Sequence, residues 1–358
     1  MLKRTAMLLA IGLALLAPGR LSAGPALVFE ANSGLVLYAE DPDHQWHPAS
    51  VTKMMTAYLT FEAIKAGKLK LDDKIICSAN ANAQVPSKIG LPVGAKISVR
   101  LALQVLIVKS ANDVAVMLSE AVGGTEAAFV ARMNTTATRL GMTRTHFANP
   151  HGLPNASQVT TARDLARLAR RLIKDFPEYA YLFSQRHVKV GRRRLGTYNG
   201  LLKTFAGADG LKTGFICDAG YNVVASATRN GTRIVAVVLG ARTGAARRVR
   251  AASLLEHGFK TYDWKTALFS TVSIDTLDRD LQLRPAVSLR KKVCRGNVSR
   301  SKSRSKKRRR KAKNRKRSKS GAAKRKVANL KRSKASARRT KPRRSKAART
   351  KSKTTKAR

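Results

Sequence analysis

The stretch Pro48-Ala49-Ser50-Val51-Thr52-Lys53-Met54-Met55-Thr56 decides how the chain is read. From Ser50 to Ala66, Met54, Tyr58, Phe61 and Ile64 recur at helical spacing and Gly67 ends the pattern, so a helix is expected there. Residues three apart share a helix face, which brings the Ser50 hydroxyl to the Lys53 amine. A serine is a poor nucleophile without an adjacent base. A lysine supplies one when burial or nearby positive charge lowers its pKa. The S-x-x-K string alone says little, because it recurs at Ser288/Lys291, Ser299/Lys302 and Ser303/Lys306. Ser50 differs in opening an amphipathic helix just after a strand pair.

That strand pair is Ala26 to Ala31 and Leu35 to Ala39, joined by the turn residues Asn32-Ser33-Gly34. Downstream, Ala79 to Val99 reads mostly as loop. Val99–Val108, Asp113–Val122, Thr125–Leu140 and Thr160–Lys174 read as helices. The period then changes. Gly220–Ala227 and Thr232–Gly240 are apolar strand patterns joined across Asn230-Gly231, a strong hairpin signal. A helix from about Ala245 to Tyr262 follows, then one or two weak strand patterns between Thr266 and Leu289. Strands at both ends and helices in the middle predict an α+β domain with an antiparallel sheet flanked by helices and a central helical insert.

Two further motifs lie in that frame. Ser110-Ala111-Asn112 sits between two helical patterns. In isolation Ser-x-Asn is a helix cap. Here a second hydroxyl can relay a proton, and an amide can hold a substrate amide through donor and acceptor. Lys212-Thr213-Gly214 follows Asp209-Gly210-Leu211 and precedes Phe215. Alone it reads as a surface turn. On a strand, its Lys and Thr can receive a carboxylate, and its Gly lets a substrate backbone lie alongside.

S-x-x-K, S-x-N and K-T-G in that order resemble the set shared by penicillin-binding proteins and class A β-lactamases. With the flanking strings His151-Gly152-Leu153 and Ala219 to Ala227, the chain from Gly24 to Tyr262 resembles the serine D-Ala-D-Ala carboxypeptidases. The resemblance implies a β-lactamase/transpeptidase-like fold and acyl transfer on a peptidoglycan stem peptide. Ser50 would be the nucleophile, Lys53 its base and Ser110 a proton relay. Asn112, Lys212, Thr213 and Gly214 would bind substrate. The backbone N–H groups of Ser50 and Phe215 would form the oxyanion hole, and β-lactams would acylate Ser50. Family members often carry His where Phe215 stands.

No cofactor or metal is implied. The six histidines form no H-x-x-x-H pair of the zinc-peptidase type. His151 alone is placed near the cleft, as a loop residue holding backbone. A β-lactamase remains open as an alternative, although Arg144–Thr160 contains no E-x-x-L-N string.

The two ends of the chain are different in kind. Lys3 and Arg4, an apolar run from Met7 to Ala17 and then small residues have the form of a secretory signal, expected over residues 1–23. An exported, periplasmic or envelope protein is the expectation. Three cysteines are too few for a disulfide framework. Cys77 and Cys217 could pair in an oxidising compartment, leaving Cys294 over, but three free thiols are the simpler reading. The 358 residues carry a net charge of +52, very unevenly. Residues 290–358 hold 35 Lys/Arg and no acid, leaving 37 basic against 20 acidic residues before them.

The expected organisation is a signal at 1–23, a catalytic domain at 24–264, a connecting segment at 265–289 and a tail at 290–358. The tail cannot bury enough apolar surface to order itself. As a polycation it is expected to bind anionic surface polymers or phospholipid with steep salt dependence. It lacks aromatics for base stacking, and nucleic acid conflicts with export. A polyanion binder with an inactive catalytic scaffold is therefore the alternative from another functional class.

Overall fold

A computed structural model of the chain describes residues 24–267 and 272–295. The expected signal and the tail beyond residue 295 lie outside the described residues.

Strands β1 (Ala26–Glu30) and β2 (Val36–Glu40) form the expected first hairpin. A 3-10 turn, Ala49–Thr52, leads into α1 (Lys53–Lys65). The stretch expected to be mostly loop also contains the small ladder β3 (Lys74–Ile76) with β4 (Lys96–Ser98), and the short helix α2 (Ala79–Ala83). Three-residue strands leave no measurable alternation, which is why the sequence did not reveal them.

The helical insert comprises α3 (Val99–Val108), α4 (Asn112–Gly123), α5 (Glu126–Arg139) and α6 (Ala162–Asp175). Ser98, Thr125 and Thr161 cap α3, α5 and α6 with their hydroxyls. Next come α7 (Ala180–Ser184), the hairpin β5 (His187–Val190) and β6 (Arg193–Gly196), and α8 (Leu201–Thr204). The domain closes with β7 (Ala208–Ile216), β8 (Gly220–Arg229), β9 (Thr232–Ala241) and the long helix α9 (Gly244–Ala267).

The main sheet is antiparallel, in the order β2-β1-β9-β8-β7. The chain's first hairpin therefore pairs with its last strands, as expected of a sheet completed late. Alternate residues face opposite sides of a strand. Leu27, Phe29, Val235, Val237 and Leu239 pack toward α1, α3, α4 and α6. Val28, Ile234, Ala236 and Val238 pack toward Ala251 and Leu255 of α9. Both faces are covered, so β8 and β9 read as continuous apolar runs. β7 is an edge strand whose outer side faces the helical insert.

Among the described residues between 266 and 289, the expected strands are not found beyond one isolated bridge. Residues 268–271 lie outside the description; 272–290 run as a strap along the domain, meeting the start of β2 through the Leu35–Ser273 bridge and the Val36 N–H to Val272 carbonyl bond at 2.9 Å, and Lys291–Arg295 form a short helical stretch. Buried Arg163 clamps the strap. Its guanidinium binds both oxygens of Asp43 and donates to the carbonyls of Ile274, Leu277 and Asp278, using all five N–H groups. The strap ends in a disulfide between Cys217 and Cys294, whose Cα atoms are 5.7 Å apart. This corrects the reading of three free thiols and the suggested Cys77–Cys217 pair. Cys77 is free and fully buried. Sequence spacing could not show that the strap carries Cys294 back to the end of β7.

Candidate active site

Ser50 lies in the 3-10 turn and Lys53 begins α1. Ala49 just before Ser50 has φ 51°, and Ser110 in the α3–α4 turn has φ 59°. Such left-handed conformations at non-glycine residues cost on the order of 1–3 kcal/mol each and cluster at functional sites. Two glycines make the arrangement possible. A Cβ on Gly152 (φ +86°) would lie 2.0 Å from the Ala49 carbonyl oxygen. A Cβ on Gly214 would lie 2.9 Å from the Pro48 oxygen and 3.0 Å from the Ser50 amide nitrogen. Edge strand β7 thus passes directly against the backbone that presents Ser50.

Lys53 is buried, and its Nζ is 3.1 Å from Ser50 Oγ. The same Nζ donates to Asn112 Oδ1 at 2.8 Å and to the His151 carbonyl at 2.5 Å. Both of these oxygens can only accept. A neutral amine has two protons to give, so its lone pair is left for the Ser50 hydroxyl proton. Burial, and then the charge of Lys212, push the Lys53 pKa well below the ordinary lysine value, while Asp113 opposes them.

Lys212 is also buried and donates to Ser110 Oγ at 2.8 Å and to the Thr213 carbonyl at 2.9 Å. Accepting from Lys212 frees the Ser110 proton to point elsewhere. Burial, then Arg247, lower the Lys212 pKa to about 7.

Asn112 has its oxygen engaged by Lys53 and one N–H engaged by the Val85 carbonyl at 2.9 Å. The second N–H and one acceptor position on Oδ1 are left for a substrate amide. Asp113 ties down the neighbouring loop through the amides of Ile89 and Gly90. His151 holds backbone as expected, since its Nδ1 accepts from Leu153 N at 3.2 Å. Burial and Lys53 lower its pKa to about 3, so the ring is neutral.

A cavity of about 360 Å³ joins Ser50, Ser110, Asn112, Thr213, Gly214 and Phe215. The structure therefore brings together at one cleft the side chains that the three motifs singled out. Motif reasoning missed the cavity's other wall. Arg247 of α9 lines it, donating to the Tyr198 carbonyl at 3.1 Å. Nothing in the run Arg247-Arg248 marks one arginine as the inward one. At the mouth, the rings of Phe215 and Tyr221 lie 4.2 Å apart. Tyr198 OH accepts from Lys109 at 2.7 Å.

Comparison with known proteins gives consistent results. The sequence profile of the peptidase S11 family, described as D-alanyl-D-alanine carboxypeptidase, matches residues 14–243. The chain is 36% identical over 252 residues to D-alanyl-D-alanine carboxypeptidase DacA of Haemophilus influenzae, covering 69% of this chain and 64% of that protein. It is similar to the crystal structure of DacD from Francisella tularensis, with a TM-score of 0.64, 34% identity and coverage of 66% of this chain and 70% of that one. It is also similar to penicillin-binding protein D2 of Listeria monocytogenes in its cefotaxime-bound form, with a TM-score of 0.61, 34% identity and coverage of 66% and 97%. The chain spans somewhat less than two thirds of the length of the curated relatives it matches. With a profile match over more than half its residues, the chain belongs to the D-alanyl-D-alanine carboxypeptidase family, peptidase family S11.

Proposed function

We propose that the protein is an exported serine D-Ala-D-Ala carboxypeptidase that removes the terminal D-alanine from peptidoglycan stem peptides. One observation carries the reading. A buried, charge-depressed Lys53 has two protons committed to carbonyl oxygens and faces Ser50 Oγ at 3.1 Å. That is the geometry of a nucleophile with its base.

The Ser50 proton passes to Lys53 as Oγ attacks the carbonyl between the two D-alanines. The oxyanion forms between the backbone N–H groups of Ser50 and Phe215, where one such donor is worth about 2.7–4 kcal/mol. The leaving amine takes the Ser110 proton as Ser110 recovers the proton that Lys53 took from Ser50, while Lys212 donates to the Ser110 oxygen throughout the relay. The substrate carboxylate lies against Lys212 and the hydroxyl of Thr213, with Arg247 supplying further positive charge at the same wall. Water then hydrolyses the acyl-enzyme and restores Ser50. β-Lactams present a comparable carbonyl and carboxylate and acylate the same oxygen. The cefotaxime-bound relative supports this.

Export rests on the N-terminal signal pattern, and the Cys217–Cys294 bond is consistent with an oxidising compartment. The tail is proposed to hold the enzyme to anionic surface polymers or phospholipid.

The test is D-alanine release from a stem pentapeptide by the mature protein beside Ser50→Ala, with penicillin added in parallel. Release and stable penicillin labelling, both lost in the variant, are expected. Penicillin turnover without D-alanine release would identify a β-lactamase. Neither activity in a folded protein would leave the polyanion binder.

A further inference from the structure

The β5–β6 hairpin carries a charge pattern that the catalytic site does not use. Residues 186–194 include Arg186, Lys189, Arg192, Arg193 and Arg194 and no acid. All five of these residues are exposed. The other face of the hairpin seats it: Val188 is buried in the main core, with Val190 and Leu195 packed against it. The strand register puts Lys189 directly opposite Arg194 on the outer face. Side chains so placed have Cβ atoms about 5 Å apart, and like charges there repel.

Among the described residues, none of the five cations forms an ion pair. Arg193 donates to the Ile89 carbonyl at 3.0 Å, and Arg194 lies 3.2 Å from His187 Nδ1. Elsewhere on the surface, arginines are matched with acids: Arg100 with Asp72, Arg139 with Glu62 and Arg229 with Glu256. The hairpin is therefore held against its own repulsion, which an anion laid on its outer face would relieve.

The hairpin also borders the catalytic cleft. Arg193 is bonded to Ile89 in the loop whose Pro86 and Ser87 line the cleft. β6 ends at Gly196, and two residues later Tyr198 forms part of the cleft wall. From Tyr198 back to Arg194 is at most about 14 Å of chain, whereas an extended pentapeptide spans about 17 Å. On the proposed function, every uncleaved stem of the wall polymer ends in a carboxylate, so the polymer is a polyanion. While one stem occupies the cleft, a neighbouring stem is within reach of Lys189, Arg192 and Arg194.

We propose that the outer face of the β5–β6 hairpin is a docking surface for a second, acidic stem of the polymer being cleaved. The inference rests on the carboxypeptidase reading and adds a contact that only polymeric substrate makes.

The experiment measures D-alanine release by the full-length mature protein from two substrates, peptidoglycan strands with pentapeptide stems and soluble Nα,Nε-diacetyl-Lys-D-Ala-D-Ala. The triple variant Lys189→Gln, Arg192→Gln, Arg194→Gln leaves Arg193 on Ile89 and keeps the tail, so it reports the hairpin alone. Three exposed ion pairs are together worth about tenfold, so kcat/KM on the polymer is expected to fall by about that factor at low salt. Hydrolysis of the soluble peptide stays within about twofold of wild type. Salt at about 0.5 M shrinks the wild-type advantage on the polymer, because exposed charges are then screened. The charge-conserving variant Lys189→Arg, Arg192→Lys, Arg194→Lys keeps that advantage, which separates charge from folding. Polymer hydrolysis by the glutamine variant at the wild-type rate overturns the docking surface and leaves the carboxypeptidase reading intact. An equal loss on both substrates also overturns it, as does unchanged polymer hydrolysis with lost binding to anionic phospholipid vesicles. Release from neither substrate by the wild type, without penicillin labelling of Ser50, overturns the carboxypeptidase reading and the docking surface with it.

Discussion

On the proposed mechanism, Lys53 and Lys212 divide two tasks that a single amine could not perform. There Lys53 must be neutral to accept the Ser50 proton, whereas Lys212 must be charged to hold a carboxylate. Burial lowers both, and each has positive charge nearby: Lys212 beside Lys53, and Arg247 beside Lys212. kcat/KM should therefore rise with pH as Lys53 deprotonates. It should fall as Lys212 of the free enzyme loses its proton near pH 7. Lys212→Arg keeps the charge at all accessible pH and should flatten the falling limb at some loss of rate, which a pH–rate profile would detect. Ser110→Ala should lower kcat by about 10²–10⁴ while leaving Ser50 in place, since proton transfer is worth that much. These residues were legible in the sequence because each belongs to a short string with fixed spacing. Arg247 was not, because only the packing of α9 against the sheet aims it at the cleft.

At the scale of elements, the site is a meeting of three backbones: the 3-10 turn before α1, the loop through Gly152, and edge strand β7. Their separations are too small to admit a methyl group. Gly152→Ala would place Cβ 2.0 Å from the Ala49 oxygen and would also force an alanine to φ +86°. Displacement of Ser50 is expected, with activity down by about 10² or more, because misplacement by 1 Å costs that much. The penicillin acylation rate would measure it. Long periodic elements such as α3, α4, α5, β8 and β9 could be read because amphipathic periods accumulate over ten or more residues. β3, β4 and the β5–β6 hairpin could not, since strands of three or four residues are defined by their partners.

At the scale of the whole molecule, the strap joins both ends of the domain through Arg163 and through Cys217–Cys294. Burial raises the Asp43 pKa, but its hydrogen bonds to Arg163 and Asp280 more than offset this and hold it below the usual aspartate value. Its contribution to stability is then complete above the unfolded pKa of about 3.9 and is lost as pH falls through the lower folded value. Arg163→Ala removes five hydrogen bonds and leaves Asp43 buried without its partner. A loss of about 3–5 kcal/mol is expected in denaturant titration. Reducing the disulfide, or Cys294→Ser, should cost about 2–4 kcal/mol, lowering Tm by roughly 5–15 °C. Truncation after Arg295 should leave the hydrolysis of soluble peptide unchanged. It should abolish salt-sensitive retention on anionic vesicles or wall polymer, measured by sedimentation.

Three thiols permit three pairings, and only one of them leaves the strap in place. The fold itself selects it. Cys77 is sealed inside the domain once the helical insert has packed, whereas Cys217 stands at a strand end and its partner is supplied 77 residues further along the chain. If the domain collapses first, the wrong partner has already been withdrawn when the right one arrives. Oxidation of the unfolded chain should scramble the pairings, and oxidation after folding should give one product. In that sequence of events, the order of assembly would act as a proofreading step, performed by the protein on itself.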